Sequence, residues 1–477
     1  MINRESDSSI VDAVRKVLQR GKVMFMATAV DGNPSVSSVF YGYDEPTPGA
    51  FEIFLFSFLP TVKLQQISYN QKVEVQIAEP LAEGIKGIQI SGRATFVKDK
   101  EIIEKIIKPK INVSSNKAFE QYYDLPVARW VKIVPTRIKL IDFYQKDQFQ
   151  FLEYWGNQPS FLQNIRNGLF NRAKLWARAM RAPFFTATII PILLGAILAW
   201  NVTNTIDLFT LLLTVISGVA IHAGTNMLND YFDHTSRNDE KNKNATPFNG
   251  GSRTIQAGLM SSTKVGIVAI LFFLIGTMGA LYLETIIGGN VILVLLILGV
   301  FLGIFYTADP LRIGYTGLGE VAVALGFGPV FVVVSWFVQT RSLELIMPIF
   351  WSVPIALLIA NVLLINEFQD LDADKAVGKN TLVVRLGKRR SVLLYKTSLS
   401  LSYLWIIAGA LIYFHNASLT LIALITVPLA LKAVHLIEKK FDTIYDLIPG
   451  NVMTIGIHLL TGVLLIVGLA LTKVLAL

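Results

Sequence analysis

The stretch NDYFDHTSRND, residues 229–239, closes an apolar run that begins near residue 206. A run of roughly 20 apolar residues is long enough to cross a bilayer as a helix. Three carboxylates, Asp230, Asp233 and Asp239, therefore crowd where a membrane helix meets water. Charge at that depth is costly and is retained where it has a task. Outward from this point, comparable runs lie near 183–200, 264–284, 289–306, 317–338, 346–366, 391–413, 418–437 and 452–473. Together they predict an all-α polytopic bundle of about nine transmembrane helices over residues 183–477.

The composition agrees. Of the 477 residues, 53% are hydrophobic and 16% charged, and the mean hydropathy is +0.52. These values mark an integral membrane protein. There is no cysteine, which excludes disulfides, thiolate metal sites and cysteine nucleophiles. The net charge of +9 does not call for nucleic acid. Lys and Arg concentrate in the loops at 229–263, 307–316, 367–390 and 438–451, while the opposite loops carry little beyond Arg341 and Lys473. That asymmetry predicts a multi-pass plasma membrane protein with the aspartate-rich loops in the cytoplasm. The polar start, MINRESDSSI, has no secretory-signal character, so the N-terminal region is expected on the same side.

Residues 1–148 read differently. The segments 22–30, 35–43, 50–58, 72–80, 87–98 and 128–144 alternate or carry β-branched and aromatic residues, with turn residues between them. Short helices are expected at 8–20, 60–70 and near 99–108. Many antiparallel strands with few helices predict a small β-barrel of α+β type. The stretches FMATAVDGNPSVSSVFYGYD, FLFSFLPTVKLQQISYNQKVEVQI and GIQISGRATFVKD resemble the FMN-binding split barrel of the pyridoxamine-phosphate-oxidase-like superfamily over about 10–145. The resemblance implies FMN as a cofactor, with Ser57, Thr61, Lys63 and Arg93 able to meet its phosphate; the alternatives are a barrel that binds nothing, one that binds another cofactor, and one that mediates a dimer. The arginine often found on the second strand of flavin binders is absent, and SVSSV stands there. Residues 149–182 read as a basic amphipathic linker suited to an anionic lipid surface, with Arg166, Arg172, Lys174, Arg178 and Arg181 among Trp155, Phe161, Leu169, Phe170 and Trp176.

The opening stretch has a partner in NEFQDLDAD, residues 366–374, after the sixth expected span. Asp370 and Asp374 are four apart, Asp230 and Asp233 three apart, so each pair shares a helix face. Asn229 and Asn366 add amide oxygens. Two carboxylate sets on one side of a membrane suit a hard divalent cation. Mg²⁺ keeps several waters and bridges to phosphate oxygens. A lipid diphosphate satisfies both the polar edge and the apolar bundle. Arg253, Lys379 and Arg385, in loops beside the two clusters, could meet a diphosphate.

These residues resemble the UbiA superfamily of intramembrane prenyltransferases. NDYFD with Asp239 is similar to its first aspartate-rich motif, and DLDAD followed by KAVGKNTLVVRLGKR to its second. FYTADPLRIGYTGLGEVAVALGFGPV, 305–330, resembles the segment after the fourth helix. The resemblance implies nine helices around a cavity, a Mg²⁺-bound isoprenyl diphosphate and an aromatic acceptor. NDYFDHTSRND with TPFNGGSRTIQAGL looks most like the branch that prenylates 1,4-dihydroxy-2-naphthoate for menaquinone. Arg237 replaces a usual glycine there. On this reading Asp230, Asp233, Asp239, Asp370 and Asp374 hold the metal, with Asn229 and Asn366 nearby, and Arg253, Lys379 and Arg385 take the remaining diphosphate charge. Tyr231, Tyr306 and Tyr315 are candidates to face an allylic cation, and His222 and His234 to move a proton. The competing readings are a 4-hydroxybenzoate or other acceptor, and a non-enzymatic transporter or flavin sensor.

Overall fold

The computed structural model describes residues 4–21, 23–59, 61–78, 86–112, 123, 127–142, 149–154, 161–242, 246, 248–413 and 417–475. The chain divides into two compact units. One comprises Met1–Trp176 with Thr254–Ser261, the other Ala177–Arg253 with Ser262–Leu477.

In the first unit, helix α1 (Arg4–Arg20) precedes strands β1 (Val23–Val30), β2 (Asn33–Thr47) and β3 (Ala50–Phe58). Helix α2 (Val62–Tyr69), β4 (Lys72–Ala78), β5 (Lys86–Val97), the helical pieces α3 (Lys100–Ile102) and α4 (Lys108–Asn112), β6 (Ala128–Asp142) and β7 (Phe149–Glu153) follow. The order β3-β2-β1-β4-β5-β6-β7 closes through an added β3–β6 pairing, so six strands form a barrel and β7 lies on its edge. All pairings are antiparallel. Alternation explains the closure. Along β4 every second residue is buried, so one face fills the barrel and the other meets water. Met24, Met26, Ile53, Leu55, Val75, Ile77, Ile88, Ile90, Val131 and Ile133 fill the interior, and Val14 and Val17 of α1 pack on the same core. Fully burying such a side chain is worth about 1.5–3 kcal/mol.

The edge strand was not expected; Phe149–Glu153 reads as the start of the linker. Its alternation is inverted, with Phe149 and Phe151 about half exposed and Leu152 buried. Cations on β6 cover the two rings: Lys139 Nζ lies 4.1 Å from the Phe149 centroid and the Arg137 guanidinium 5.8 Å from that of Phe151. Trp155 lies outside the described residues.

Helix α1 is tied to β2 by a two-pronged ion pair, with Arg15 Nε and Nη2 donating to Glu45 at 2.7 and 2.8 Å. Gly49 N–H donates to the same carboxylate at 2.6 Å. The Arg15 guanidinium, with this N–H, holds the Glu45 carboxyl below the ordinary range. A carboxyl lowered in the folded state stabilises above its unfolded pKa, and that contribution is lost as pH falls through the lowered native value. The protection factors of α1 amides, corrected for intrinsic exchange, should therefore fall as pH drops below ~4.3 toward the lowered native value. In Glu45→Gln protection should be lower already at neutral pH and lose most of that dependence. An unchanged pH profile in Glu45→Gln would show that another group carries it.

The second unit is helical, and the chain is a multi-pass membrane protein. Among the described residues, eight helical segments are long and apolar enough to cross a bilayer: Ala182–Thr203, Leu208–Thr235, Ser262–Ile287, Gly319–Thr340, Ile346–Ala376, Lys388–Ile412, Ser418–Lys440 and Ile448–Val474. The ninth expected span, 289–306, is a helix of 15 residues, Val291–Phe305. At 1.5 Å per residue it covers about 22 Å, short of a hydrocarbon core of about 30 Å. It starts at Asn290 in the left-handed conformation, after Gly288 and Gly289. Close helix contact needs a small residue at Gly195 on α6 (Thr186–Thr203). A Cβ there would stand 2.3 Å from the Val332 carbonyl of α12 (Phe331–Thr340).

Among the helices longer than the hydrocarbon core, two carry the site. The helix α7 (Leu208–Thr235) has 28 residues and α13 (Ile346–Ala376) has 31. Both exceed the ~30 Å core by at least about 10 Å. Their C-terminal turns carry the two aspartate motifs.

Candidate active site

Each aspartate of α7 has its own cation or donor. Asp230 is buried and ion-paired to Arg181. It also accepts from the Ser252 N–H at 3.2 Å, and the Ser252 carbonyl in turn accepts from Arg178 Nε at 2.8 Å. One helical turn on, Asp233 accepts from the Tyr315 hydroxyl at 2.8 Å. The chain then reverses at Arg237, whose φ is +60°, and the short helix α8 (Asn238–Lys241) brings back Asp239. Left-handed φ is the conformation glycine adopts freely, so the arginine that departs from the family pattern keeps the geometry at a cost of order 1 kcal/mol. Asp239 meets Asp230 around Gly251. A Cβ on Gly251 would lie 2.9 Å from Asp230 Oδ1, 3.0 Å from Asp239 Oδ2 and 3.2 Å from Arg181 Nη2. Burial, then Asp233 and Asp230, push the Asp239 carboxyl well above its ordinary value.

The helix α13 supplies the facing set. Asp374 accepts from Asn238 Nδ2 at 3.3 Å and lies 3.6 Å from Lys379 Nζ. Burial alone would disfavour the Lys379 ammonium. Asp233 and Asp374 outweigh that and hold it well above the ordinary lysine range. Lys379 also lies 5.2 Å from the Tyr315 ring centroid, and Asn380 N–H donates to the Tyr315 carbonyl at 3.0 Å. One lysine thus stands between the two motifs. Asp370 accepts from Asn242 and Asn249, each at 2.6 Å.

The remaining expected residues divide. Asn229 lines the cavity beneath, and its buried Oδ1 has no partner among the described residues. Arg253, at φ +60°, donates to the Asp239 carbonyl. Asn366 does not join the aspartates, because its Oδ1 accepts from Asn451 Nδ2 at 2.7 Å across a helix interface. Arg385 is exposed, and its Nε caps the Asn380 carbonyl at 3.0 Å. It shapes the loop that carries Lys379. Of the tyrosines, Tyr315 touches Asp233 and Tyr306 lines the cavity. Tyr231 packs on Gly266 of α9 (Ser262–Ile287) instead. His222 lines the cavity, its Nδ1 2.8 Å from Thr188 Oγ1.

The cavity is about 230 Å³. Arg181, Asn226, Asn229 and Tyr306 are among its polar lining, and Ala280, Leu283, Ile292, Leu296 and Val330 among its apolar walls. Residues missed from sequence include Arg181, the amides Asn238, Asn242 and Asn249, and the buried Glu320 and Glu367. Val383 N–H donates to Glu367 at 3.4 Å. Arg181 carried no separate signal, being one of five basic residues in an amphipathic stretch.

Among the described residues, no three carboxylates or histidines converge as a closed metal cage. Asp230 and Asp239 meet around Gly251, and Asp233 and Asp374 both act on Lys379. Mg²⁺ is usually held by one or two carboxylates plus substrate phosphates, so pairs of hard oxygen donors fit it. Five acidic side chains against Arg181, Lys379 and Arg253 also leave a negative excess. Gly251→Ala tests the crowding. It forces a Cβ into both carboxylates at a φ of +72°, and prenyl transfer should fall about tenfold. That loss corresponds to about 1.4 kcal/mol, within the strain expected of such a site. Unchanged transfer would mean the pair is not held by this loop.

In the first unit the flavin set does not assemble in full. Ser57 and Lys63 line one cavity, and Thr61 Oγ1 is 3.4 Å from Ser57 Oγ. Arg93 is elsewhere, donating to Gln71 Oε1 at 2.8 Å from the β4–β5 register. The cavity is about 160 Å³.

Residues 10–142 match the pyridoxamine 5'-phosphate oxidase family and residues 188–443 the UbiA prenyltransferase family. A 2-carboxy-1,4-naphthoquinone phytyltransferase of Synechocystis is 27% identical over 300 residues, 62% of this chain and 92% of that protein. A 1,4-dihydroxy-2-naphthoate octaprenyltransferase of Bacillus subtilis is 30% identical over 233 residues, 49% of this chain and 72% of its own. The UbiA prenyltransferase domain-containing protein 1 of Homo sapiens is 26% identical over 297 residues, 61% and 82% respectively. With paired aspartate motifs over an apolar cavity and a family match across more than half its length, the chain belongs to the UbiA prenyltransferase family, joined to a barrel of the pyridoxamine-phosphate-oxidase type.

Proposed function

We propose that the chain transfers a polyprenyl group from an isoprenyl diphosphate to 1,4-dihydroxy-2-naphthoate in menaquinone biosynthesis, with Mg²⁺ as cofactor. The observation that carries the chemistry is the meeting of both aspartate motifs on Lys379, above an apolar cavity. The naphthoate relatives in Synechocystis and Bacillus subtilis support the acceptor. The aspartate loops and the barrel face the cytoplasm on this reading, where Mg²⁺ and diphosphates are available.

Asp230, Asp233, Asp239 and Asp374 would hold Mg²⁺, which when bound would neutralise the diphosphate and make it a better leaving group. Asp370 stays fixed by Asn242 and Asn249 and joins through the field of the site. Lys379 and Arg253 offset the phosphate charge. The cavity takes the hydrocarbon tail and excludes water from the reacting carbon. As the C–O bond breaks, its electron pair leaves with the diphosphate. Tyr306, which lines the cavity, is an aromatic group available to the cation that remains. The acceptor's ring carbon supplies the new C–C bond, and its carboxyl group departs as CO₂, which restores the aromatic ring.

The test is direct. Membranes containing the chain are incubated with Mg²⁺, a long-chain prenyl diphosphate, and either 1,4-dihydroxy-2-naphthoate or 4-hydroxybenzoate. Prenylated product from the naphthoate alone is expected. Product from the benzoate alone would keep the chemistry and overturn the acceptor. No product from either would overturn both.

A further inference from the structure

We propose that Gln66 of the barrel unit is a positioning residue for prenyl transfer, acting through the strap Thr254–Ser261 that follows the first aspartate motif. The strap lies between Arg253 and α9 in the chain, yet it belongs to the first compact unit, with the barrel. It is a closed turn. The Gly258 N–H donates to the Ile255 carbonyl at 2.9 Å, and the Leu259 and Met260 N–H groups donate to the Thr254 carbonyl at 2.9 and 3.2 Å. Gly258 has a φ of +61°, a conformation glycine adopts freely. Thr254, Ala257, Leu259 and Met260 are all buried.

Gln66 holds this turn. It lies on α2, wholly buried, and both polar atoms of its amide are bonded. Its Oε1 accepts from Thr28 Oγ1 of β1 at 2.6 Å. Its Nε2 donates to the Asn33 carbonyl at 3.1 Å and to the Gly258 carbonyl at 3.2 Å. A buried polar group satisfied in this way favours one arrangement of its partners. A Cβ on Gly258 would stand 3.4 Å from that Nε2 and 3.9 Å from Val62 Cγ1, so the turn rests on α2. The strap continues directly from residues that shape the site. Gly251 stands between Asp230 and Asp239, the Ser252 N–H donates to Asp230, and Arg253 donates to the Asp239 carbonyl. Gly251 and Arg253 both have positive φ, and such a backbone persists where its surroundings hold it. A strap fixed at Gly258 removes freedom from residues 251–253. A loop that is competent only part of the time binds its ligand more weakly by that fraction. The role of Gln66 rests on the proposed prenyl transfer, but not on the identity of the acceptor.

The experiment compares Gln66→Met, Thr28→Val and Gly258→Val with the wild type, each as full-length protein in detergent. Gln66→Met keeps the length of the side chain and removes its donors. Thr28→Val breaks the same network on the barrel side and leaves the Gly258 bond. Gly258→Val displaces the strap from its own side, with the barrel core untouched. The readouts are amide exchange in the strap, Mg²⁺-dependent calorimetric binding of farnesyl thiodiphosphate, which does not react, and KM and kcat for farnesyl diphosphate. In Gln66→Met and Gly258→Val the strap should exchange about tenfold faster. Thiodiphosphate binding should weaken about fivefold and KM rise equally, with kcat within about twofold, since bound substrate restores the loop. Thr28→Val should match the wild type. Wild-type thiodiphosphate affinity in Gly258→Val would overturn the proposal. So would equal losses in Gln66→Met and Thr28→Val, which mark a purely structural network. Thiodiphosphate binding that depends on Gln66, in a protein that does not prenylate the naphthoate, would leave the positioning role standing and overturn the acceptor alone.

Discussion

Asp374→Asn should lower Mg²⁺-dependent prenyl transfer by about 100- to 1,000-fold, the usual cost of removing one group that stabilises charge in a transition state. The geometry argues for this residue above its neighbours. Asp374 is buried, its carboxylate lies 3.6 Å from Lys379, and Asn238 anchors it from the first motif. Asparagine keeps the shape and removes the charge, so a metal would lose one of two ligands while the helix keeps its packing. Asp233→Asn should have a similar effect through the same pair. The double variant should lose much less than the product of the two, because residues that act as one unit are non-additive. Product mass, measured at saturating Mg²⁺ and again at tenfold higher Mg²⁺, separates weakened metal binding from lost chemistry. Full activity in Asp374→Asn would remove this pair from the mechanism.

The aspartate pairs were legible because helical spacing announces itself. Positions three and four apart on helices that must leave the membrane can only share a face. What joins the pairs was less legible. Lys379 follows its aspartate by five residues and could be read locally. Arg181 reaches Asp230 across 49 residues, from a stretch whose other basic residues explained it as a surface feature. Asn366 misled for the opposite reason. It stands beside the motif in sequence, but its amide is engaged by Asn451, 85 residues away. The barrel was readable strand by strand through alternation, except β7, which exposes phenylalanines and covers them with cations. No periodicity rule contains that arrangement.

The Arg181 pair leads to the other large effect. Arg181 is partly buried, Asp230 almost wholly so, and Asp239 stands beside them. Coulomb attraction to Asp230, Asp239 and Asp233 keeps the guanidinium charged against the cost of burial. Arg181→Met therefore leaves buried carboxylates without their cation. Breaking one side of a buried pair costs about 3–5 kcal/mol, since the remaining charge keeps its desolvation penalty. The loss should appear as a lower unfolding temperature in metal-free protein. Added Mg²⁺ should restore much of it, because a ligand that binds only the folded state stabilises in proportion to its occupancy. Mg²⁺ should thus raise the melting temperature more in Arg181→Met than in the wild type, where it must displace an arginine already in place. Arg181→Met combined with Asp230→Asn should recover stability without metal, since both partners are then neutral. Were Mg²⁺ to stabilise the two proteins equally, cation and guanidinium would not share Asp230. The fall in stability would then be a packing defect of the turn at Arg181, where φ is +54°.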